Sequence, residues 1–421
     1  MPGAPGLGAQ ARGESEIAVN LRRETLALTS SPLQSRRPFG IVVCWIAAPM
    51  KVTLERSALL KSLGHVHRVV EKRNTIPILS NILLSASGGG LQLKATDLDL
   101  EVTETTPADV GTKGATTLPA HTLYEIVRKL PDGAQVSLEA QADNGQLQLR
   151  SGRSRFNLQS LPESDFPDLA AGELTHKFKI PAPELKRLID KTQFAISSEE
   201  TRYYLNGVFM HVAEVEGQAF LRAVATDGHR LARLETPAPE GAVGMPGIII
   251  PRKAISEVQK LIEDPETEIG VELSSTKIRF TIGAVVLTTK LIDGSFPDYA
   301  RVIPTQNEKF LTVERKEFAE AVDRVSTISS ERGRAVKLAV SEGKLVLSVT
   351  NPDSGSAVEE LEVNYDSSPL EIGFNARYLI DIAAQLDGDT ALFKLNDSGS
   401  PTIIQDREGA SALYVLMPMR V

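Results

Sequence analysis

The chain carries one cysteine, Cys44, and one tryptophan, Trp45, in 421 residues. A lone cysteine excludes an internal disulfide, a thiolate metal cluster and a CxxC redox pair, and a reducing compartment is the natural expectation. Long apolar runs are missing as well: the stretch IVVCWIAA, Ile41 to Ala48, falls far short of the roughly 20 residues that span a bilayer. Positive charge is in deficit, with 46 Lys and Arg against 54 Asp and Glu. Taken alone, that balance argues against a protein that coats itself in nucleic acid, since phosphate binding draws on excess Lys and Arg. Catalytic signatures are also missing. No GxSxG elbow, GxxxxGK[ST] phosphate loop or HExxH zinc helix occurs. His65 and His67 are the nearest approach to a metal pair, but two residues apart on a helix they face different sides. No catalytic residue, metal or cofactor is assigned.

What is present suits a folded chain of three moderate domains, 42% hydrophobic and 24% charged, each able to bury its own core. Residues 1–49 differ from the rest, being rich in Gly, Ala and Pro and without periodicity. They are expected to be a disordered extension or to reflect a translation start at Met50, where MKVTLERSALL opens regular patterning. The rival reading is an export signal, because Ser35-Arg36-Arg37-Pro38-Phe39 precedes the apolar run.

From Met50 onward the chain repeats. Apolar residues at offsets 0, 5 and 9 occur as Leu54, Leu59, Leu63, as Ile180, Leu185, Ile189, and as Val313, Phe318, Val322. A second set, at offsets 0, 5, 8 and 12, occurs as Leu118, Leu123, Ile126, Leu130, as Ile250, Ile255, Val258, Ile262, and as Phe374, Leu379, Ile382, Leu386. Each set predicts an amphipathic helix, and the common period predicts a triplicated domain. The joints recur too: Phe166-Pro167-Asp168 matches Phe296-Pro297-Asp298, and Ala95-Thr96-Asp97 matches Ala225-Thr226-Asp227. Between the helices, alternation such as Phe156-Asn157-Leu158-Gln159 and Lys277-Ile278-Arg279-Phe280 predicts half-buried strands. The expected domains are 50–172, 173–304 and 305–421, each readable as a doubled half-unit of one helix plus strands.

Six such units either stack as a solenoid or close into a ring. Four helix segments carry a basic bias: Arg56, Lys61 and Arg68; Arg128 and Lys129; Lys186, Arg187 and Lys191; Arg252, Lys253 and Lys260. The fifth does not, with Glu314, Glu317, Glu320 and Asp323 outnumbering its cations. Positive charge segregated onto one concave surface would let an acidic protein hold a polyanion without strong adhesion.

Five strings in order carry a family resemblance: Asn74-Thr75-Ile76-Pro77-Ile78-Leu79, Ser151-Gly152-Arg153-Ser154-Arg155-Phe156, Arg202-Tyr203-Tyr204-Leu205-Asn206-Gly207, Ala225-Thr226-Asp227-Gly228-His229-Arg230-Leu231 and Met417-Pro418-Met419-Arg420. From Met50 to Val421 the chain resembles the bacterial DNA polymerase III beta subunit, the sliding clamp family. The resemblance implies an α+β fold of three repeated DNA-clamp domains, each with two helices packed on antiparallel sheets, forming half of a head-to-tail dimeric ring. It implies a non-catalytic processivity factor that encircles duplex DNA without sequence preference, a cytoplasmic location, and a clamp loader that opens the ring with ATP. Partners would be the DNA polymerase III alpha subunit, the loader, other polymerases and repair proteins; no membrane is involved.

The resemblance also implies residues. A cleft for a short partner peptide would draw on Leu205, Thr226, Gly228, His229, Arg230 and Leu231 in the second repeat, on Pro297, Arg301 and Val302 at the joint, and on Asn375 and Tyr378 in the third. Val415, Met417, Pro418, Met419 and Arg420 would complete it, although core filling is the plainer reading of the two methionines. Arg73, Tyr203 and Tyr204 would meet DNA, the alternative being one tyrosine ring in the core and one at the surface. Arg155 and Phe156 would meet Thr327 and Ile328 of a second copy, while alternation alone makes Phe156 a core strand residue. Val421 replaces the family's terminal Leu. The competing functional readings are an exported repeat protein that binds a small ligand or glycan, and a scaffold of the same fold that encircles nothing.

Overall fold

The computed structural model describes residues 49–141, 145–169, 172–329 and 334–420. The readings of residues 1–48 and of Val421 lie outside them.

One unit is built six times. A strand whose penultimate residue is buried and apolar runs directly into a helix that begins two residues later. Those residues are Leu54, Leu118, Ile180, Ile250, Val313 and Phe374, each at most 3% exposed. The helices are α1 (Arg56–Val66), α2 (Ala120–Lys129), α3 (Ala182–Asp190), α4 (Arg252–Leu261), α5 (Arg315–Ser326) and α6 (Ala376–Ala383). Each apolar set therefore begins in a strand, and three of them end beyond their helices, at Leu130, Ile262 and Leu386, where the spacing alone suggested a helix throughout. The junction residue makes this abrupt turn. Pro119, Pro181 and Pro251 fix φ near −58°. Glu314 and Asn375 instead accept hydrogen bonds from N–H groups of the first helical turn. In five of the six units the N–H of the first helical residue donates across to a carbonyl of a neighbouring segment: Arg56 to Ala134, Ala182 to Thr267, Arg252 to Asn206, Arg315 to Asp389 and Ala376 to Arg334.

The helices pair as α1 with α2, α3 with α4 and α5 with α6. Arg56, first in α1, donates to the carbonyls of Val127 (3.1 Å) and Arg128 (2.7 Å) at the end of α2. Arg315 reaches Leu386 O beyond α6 at 3.2 Å, and Arg252 reaches Ile196 O beyond α3 at 2.9 Å. Arg56 satisfies carbonyls that a helix end leaves orphaned, and Arg315 and Arg252 bond carbonyls of the segments that follow α6 and α3. Arg56 and Arg252 are thus structural rather than members of a free basic face. Lys61, Arg68, Arg128, Lys129, Arg187, Lys191, Lys253 and Lys260 each meet a carboxylate. Among the described residues of that basic set, Lys186 and Arg252 alone lack one.

Among the described residues all strand pairs are antiparallel and form four sheets. Two sheets have eight strands and cross the joints between repeats. In one, Val285–Lys290 pairs with Leu100–Pro107, matching Val285 to Glu104 and Thr289 to Leu100. In the other, Arg230–Pro237 pairs with Ala412–Leu416, matching Arg230 to Leu416 and Leu234 to Ala412. The two remaining sheets end at Ser154–Gln159 and at Gly355–Glu362, strands with one neighbour each among the described residues. No helix of the described residues is long and apolar enough to cross a membrane.

The first joint has a buried electrostatic lock. His65 on α1 is 7% exposed; its Nδ1 lies 2.8 Å from Glu104 Oε2 and its Nε2 3.3 Å from Glu263 Oε1, beyond α4. Ser62 Oγ donates to the other Glu104 oxygen at 3.0 Å, and Lys61 pairs with Glu263. The hydrogen bond to Glu104 raises the imidazole above its usual range against the opposing effect of burial. With a raised folded value, this contribution is fully present below the unfolded pKa of about 6.5 and is lost as pH climbs through the folded value. His65→Leu, which strands the Glu104 carboxylate, should cost about 3 kcal/mol in urea unfolding at pH 6. The difference between wild type and variant should shrink by pH 9; a pH-independent difference would show that His65 is not charged in the joint.

Candidate functional site

The second eight-stranded sheet has two faces. One packs into the main core through Ala223, Ala225, Ala232, Leu234, Ala412 and Tyr414. The other carries a small separate apolar cluster of Val224, Leu231, Ile403, Leu413 and Val415, on which Phe209, Phe296, Tyr299 and Ile303 pack. Phe296 stacks on Phe209 with centroids 4.8 Å apart, which lays the segment between the second and third repeats over this face. The uncovered edge of the cluster is a cleft of about 280 Å³.

A tight turn forms one wall. Thr226 Oγ1 donates to Arg230 O at 2.7 Å and accepts from Gly228 N; Asp227 Oδ1 accepts from His229 N and Arg230 N. The Asp side chain thus mimics a backbone turn. Gly228 sits at φ +88°, and a Cβ there would lie 2.5 Å from Arg202 Nη1. Arg230 locks the turn to the third repeat, donating to Asp381 on α6 at 2.6 Å and to Phe194 O at 2.7 Å. Its guanidinium lies 4.3 Å from the Tyr378 ring centroid and 4.9 Å from that of Phe194. Opposite, Met417 N donates to His229 O at 2.9 Å and fixes the end of the last strand.

Most of the expected cleft residues meet here: Leu205, Thr226, Gly228, His229, Arg230 and Leu231 from one side, Pro297 and Val302 from the joint, and Val415 and Met417 from the last strand. Others stand apart. Arg301 points outward, 85% exposed, in an ion pair with Asp298. Asn375 caps α6, and Met419 N bonds to Gly373 O, so that Pro418, Met419 and Arg420 continue past the lining. Tyr378 touches Arg230 and, more loosely, His229. Arg202, Tyr204, Asp298 and Tyr299 line the cleft without having been expected there. Tyr204 in particular turns inward while Tyr203 stays 53% exposed, with the rings edge to face at 5.7 Å. Tyr299 had a signal in the sequence: it follows Phe296-Pro297-Asp298, where the matching joint has Leu169.

The same backbone architecture occurs at the first joint with different side chains. Lys290 N donates to Asp99 O at 2.8 Å as Met417 N does to His229 O, and Asp97 Oδ1 caps that turn as Asp227 does. Register equates Leu231 with Glu101 and Val415 with Thr288. The apolar wall is replaced by charge: Glu101 pairs with Lys94 and accepts from Leu169 N, and Lys290 pairs with Asp99. Leu98, at φ +80°, stands where Gly228 leaves space.

The other expected residues lie elsewhere. Arg73 is exposed on the loop between the turns His67–Val69 and Pro77–Ser80. Arg155 and Phe156 lie on the edge strand Ser154–Gln159; Thr327 caps α5, and Ile328 O accepts from Asn351 at 2.9 Å, near the other open sheet.

Models of the DNA polymerase III beta subunit match three successive stretches: the N-terminal domain at residues 50–170, the central domain at 179–298 and the C-terminal domain at 300–420. A beta sliding clamp of Caulobacter vibrioides is 56% identical over 372 residues, 88% of this chain and all of that protein. That of Escherichia coli K12 is 39% identical over 373 residues, again 88% of this chain and all of that one. Among solved structures, a sliding clamp from Bartonella birtlesii bound to griselimycin superposes with a TM-score of 0.86 at 55% identity, covering 89% of this chain and all of that one.

Gly228→Leu should seal the cleft in the manner of Leu98. The positive φ makes the substitution cost about 1–2 kcal/mol, a modest fall in melting temperature, while binding of an apolar peptide should drop at least about tenfold, a change of ~1.4 kcal/mol. Unchanged peptide affinity in the folded variant would place the binding surface elsewhere.

Proposed function

The chain belongs to the DNA polymerase III beta subunit family, the non-catalytic sliding clamps of the bacterial replicase, and from that membership we propose that two copies close head to tail into a ring around duplex DNA. The observation that carries this is the pair of open sheet edges. Ser154–Gln159 is the counterpart of Val285–Lys290, and Gly355–Glu362 the counterpart of Leu100–Pro107, two strands that pair with each other inside the chain.

The internal joint supplies a register. Ser154 follows its hairpin as Val285 does, opposite Ser151 and Ile282 respectively. Ser356 lies opposite Thr350 as Glu101 lies opposite Thr96, which makes Glu359 the equivalent of Glu104. Copying the Val285–Glu104 match sets Ser154 against Glu359 and Phe156 against Ala357 of the second copy. Phe156 and Leu158 are half-buried and Val358 is 69% exposed, so apolar surface waits on both edges. Arg153 and Arg155 face a strand that carries Glu359, Glu360 and Glu362, and Thr327 and Ile328 stand beside it.

In this reading the three domains 50–172, 173–304 and 305–421 each supply two helices toward the DNA, with Arg73 and Tyr203 as contacts that do not read sequence. The cleft docks an apolar peptide segment of the polymerase III alpha subunit, the clamp loader, other polymerases or repair proteins, one at a time, in the cytoplasm. Tyr204 serves that cleft.

Two measurements test the proposal. Protein loaded by a clamp loader with ATP onto nicked circular DNA should be retained at high salt and released when the circle is cut, because salt weakens phosphate contacts but cannot open a ring. Retention that ignores linearisation would refute encirclement. Separately, Phe156→Asp should shift sedimentation from dimer to monomer while changing the melting temperature little; a dimer that persists would move the interface away from this edge.

A further inference from the structure

On the sheet face that carries the cleft, one row of side chains includes an exception. Register places Phe209, Val224, Arg233 and Leu413 side by side across four strands. The other three belong to the apolar cluster under the cleft or pack on it. Arg233 follows Leu231, a cleft wall residue, two positions along the same strand and on the same face, about 7 Å away at the backbone.

The guanidinium is poorly served by its own chain. Arg233 Nε is buried without a hydrogen-bond partner, and no ion pair of Arg233 is found among the described residues. Glu235, the carboxylate whose charge acts on Arg233, is already bonded to Arg222 Nε at 2.6 Å. Arg222 also reaches the Tyr299 hydroxyl at 3.5 Å, which His211 Nε2 approaches at 2.9 Å. Two cations therefore share one anion, and burial pushes the Arg233 guanidinium below its usual range. The other arginines around the cleft differ: Arg202 is bonded to Glu199, Arg230 to Asp227 and Asp381, and Arg301 to Asp298. An apolar residue at 233 would avoid the desolvation that this charge suffers.

We propose that Arg233 is a specificity-determining anchor of the cleft, which binds the carboxylate of an acidic side chain flanking the apolar segment of a docked peptide. The inference rests on the cleft being a peptide site. An incoming Asp or Glu offers two oxygens to the planar fork of the guanidinium and supplies the missing anion in a place where water competes weakly. Apolar anchoring then gives affinity, and Arg233 discriminates among apolar segments by their flanks.

The test uses the full chain and dye-labelled decapeptides read by fluorescence polarisation. Each has two central leucines in a Gly/Ser background, and variants place one Asp or one Lys on either side of the leucines. The better-placed Asp peptide should bind about tenfold more tightly than the neutral one, the scale of a hydrogen-bonded charge pair, and its Lys counterpart should bind more weakly. In Arg233→Met the gain from Asp should vanish while the neutral peptide keeps its affinity. The peptide series on the unaltered protein stands even where that variant folds poorly. Equal binding of Asp, neutral and Lys peptides would overturn the Arg233 assignment and leave the cleft intact, as would an Asp gain that survives Arg233→Met. Failure of every peptide to bind would bring down the cleft reading and this inference with it.

Discussion

A β-strand at the edge of a sheet exposes a row of N–H and C=O groups that must find partners in water or in another strand. In this chain that requirement is met twice by the next repeat: Val285–Lys290 closes against Leu100–Pro107, and Ala412–Leu416 against Arg230–Pro237. A third pair of equivalent edges, Ser154–Gln159 and Gly355–Glu362, has no strand partner on its outer side among the described residues. Head-to-tail contacts of this kind either propagate or close. The cleft is a by-product of the same pairing, because the strand that seals a joint brings its end, Met417, against the turn at His229.

Whether a joint becomes a binding site depends on few side chains. Both internal joints share the Asp-capped turn and the same backbone hydrogen bond to the incoming strand. At one, Gly228, Leu231, Val415 and Met417 leave an apolar hollow; at the other, Leu98, Glu101, Thr288 and Lys290 stand in their place, with Glu101 paired to Lys94 and Lys290 to Asp99. A repeated fold offers the site at every joint, and side-chain chemistry opens it at this one.

The core was legible in the sequence because burial imposes a local rhythm. Leu59, Leu63, Leu185, Ile189, Phe318 and Val322 were picked out by spacing alone and are buried. Spacing could not show that Leu54, Ile180 and Val313 lie at strand ends, since a buried residue looks alike in either element; Pro181 and the capping Glu314 carried that information for two of them, whereas Glu55 after Leu54 makes no capping bond. The basic helix bias was legible as composition but misleading as surface. Arg56 is spent on carbonyls more than 70 residues away, and Lys253 on Glu71 and Asp97, partners that no local window contains. Tyr204 entered the cleft unannounced for the same reason, since the turn that aims it is set by distant packing, whereas Tyr299 was marked only by its place after the recurring Phe296-Pro297-Asp298.

These ion pairs bear on how an acidic chain tolerates DNA. Cations held by carboxylates across helices contribute little net field, so a surface built this way attracts phosphate weakly and loses that attraction readily to salt. Tight, uniform adhesion would arrest movement along the duplex, whereas topology holds a ring in place without it. The paired lysines and arginines of α1 to α4 are therefore consistent with encirclement rather than against it. Arg233 differs from these paired cations: its Nε is buried without a hydrogen-bond partner, and the proposed role for it in the cleft depends on that difference.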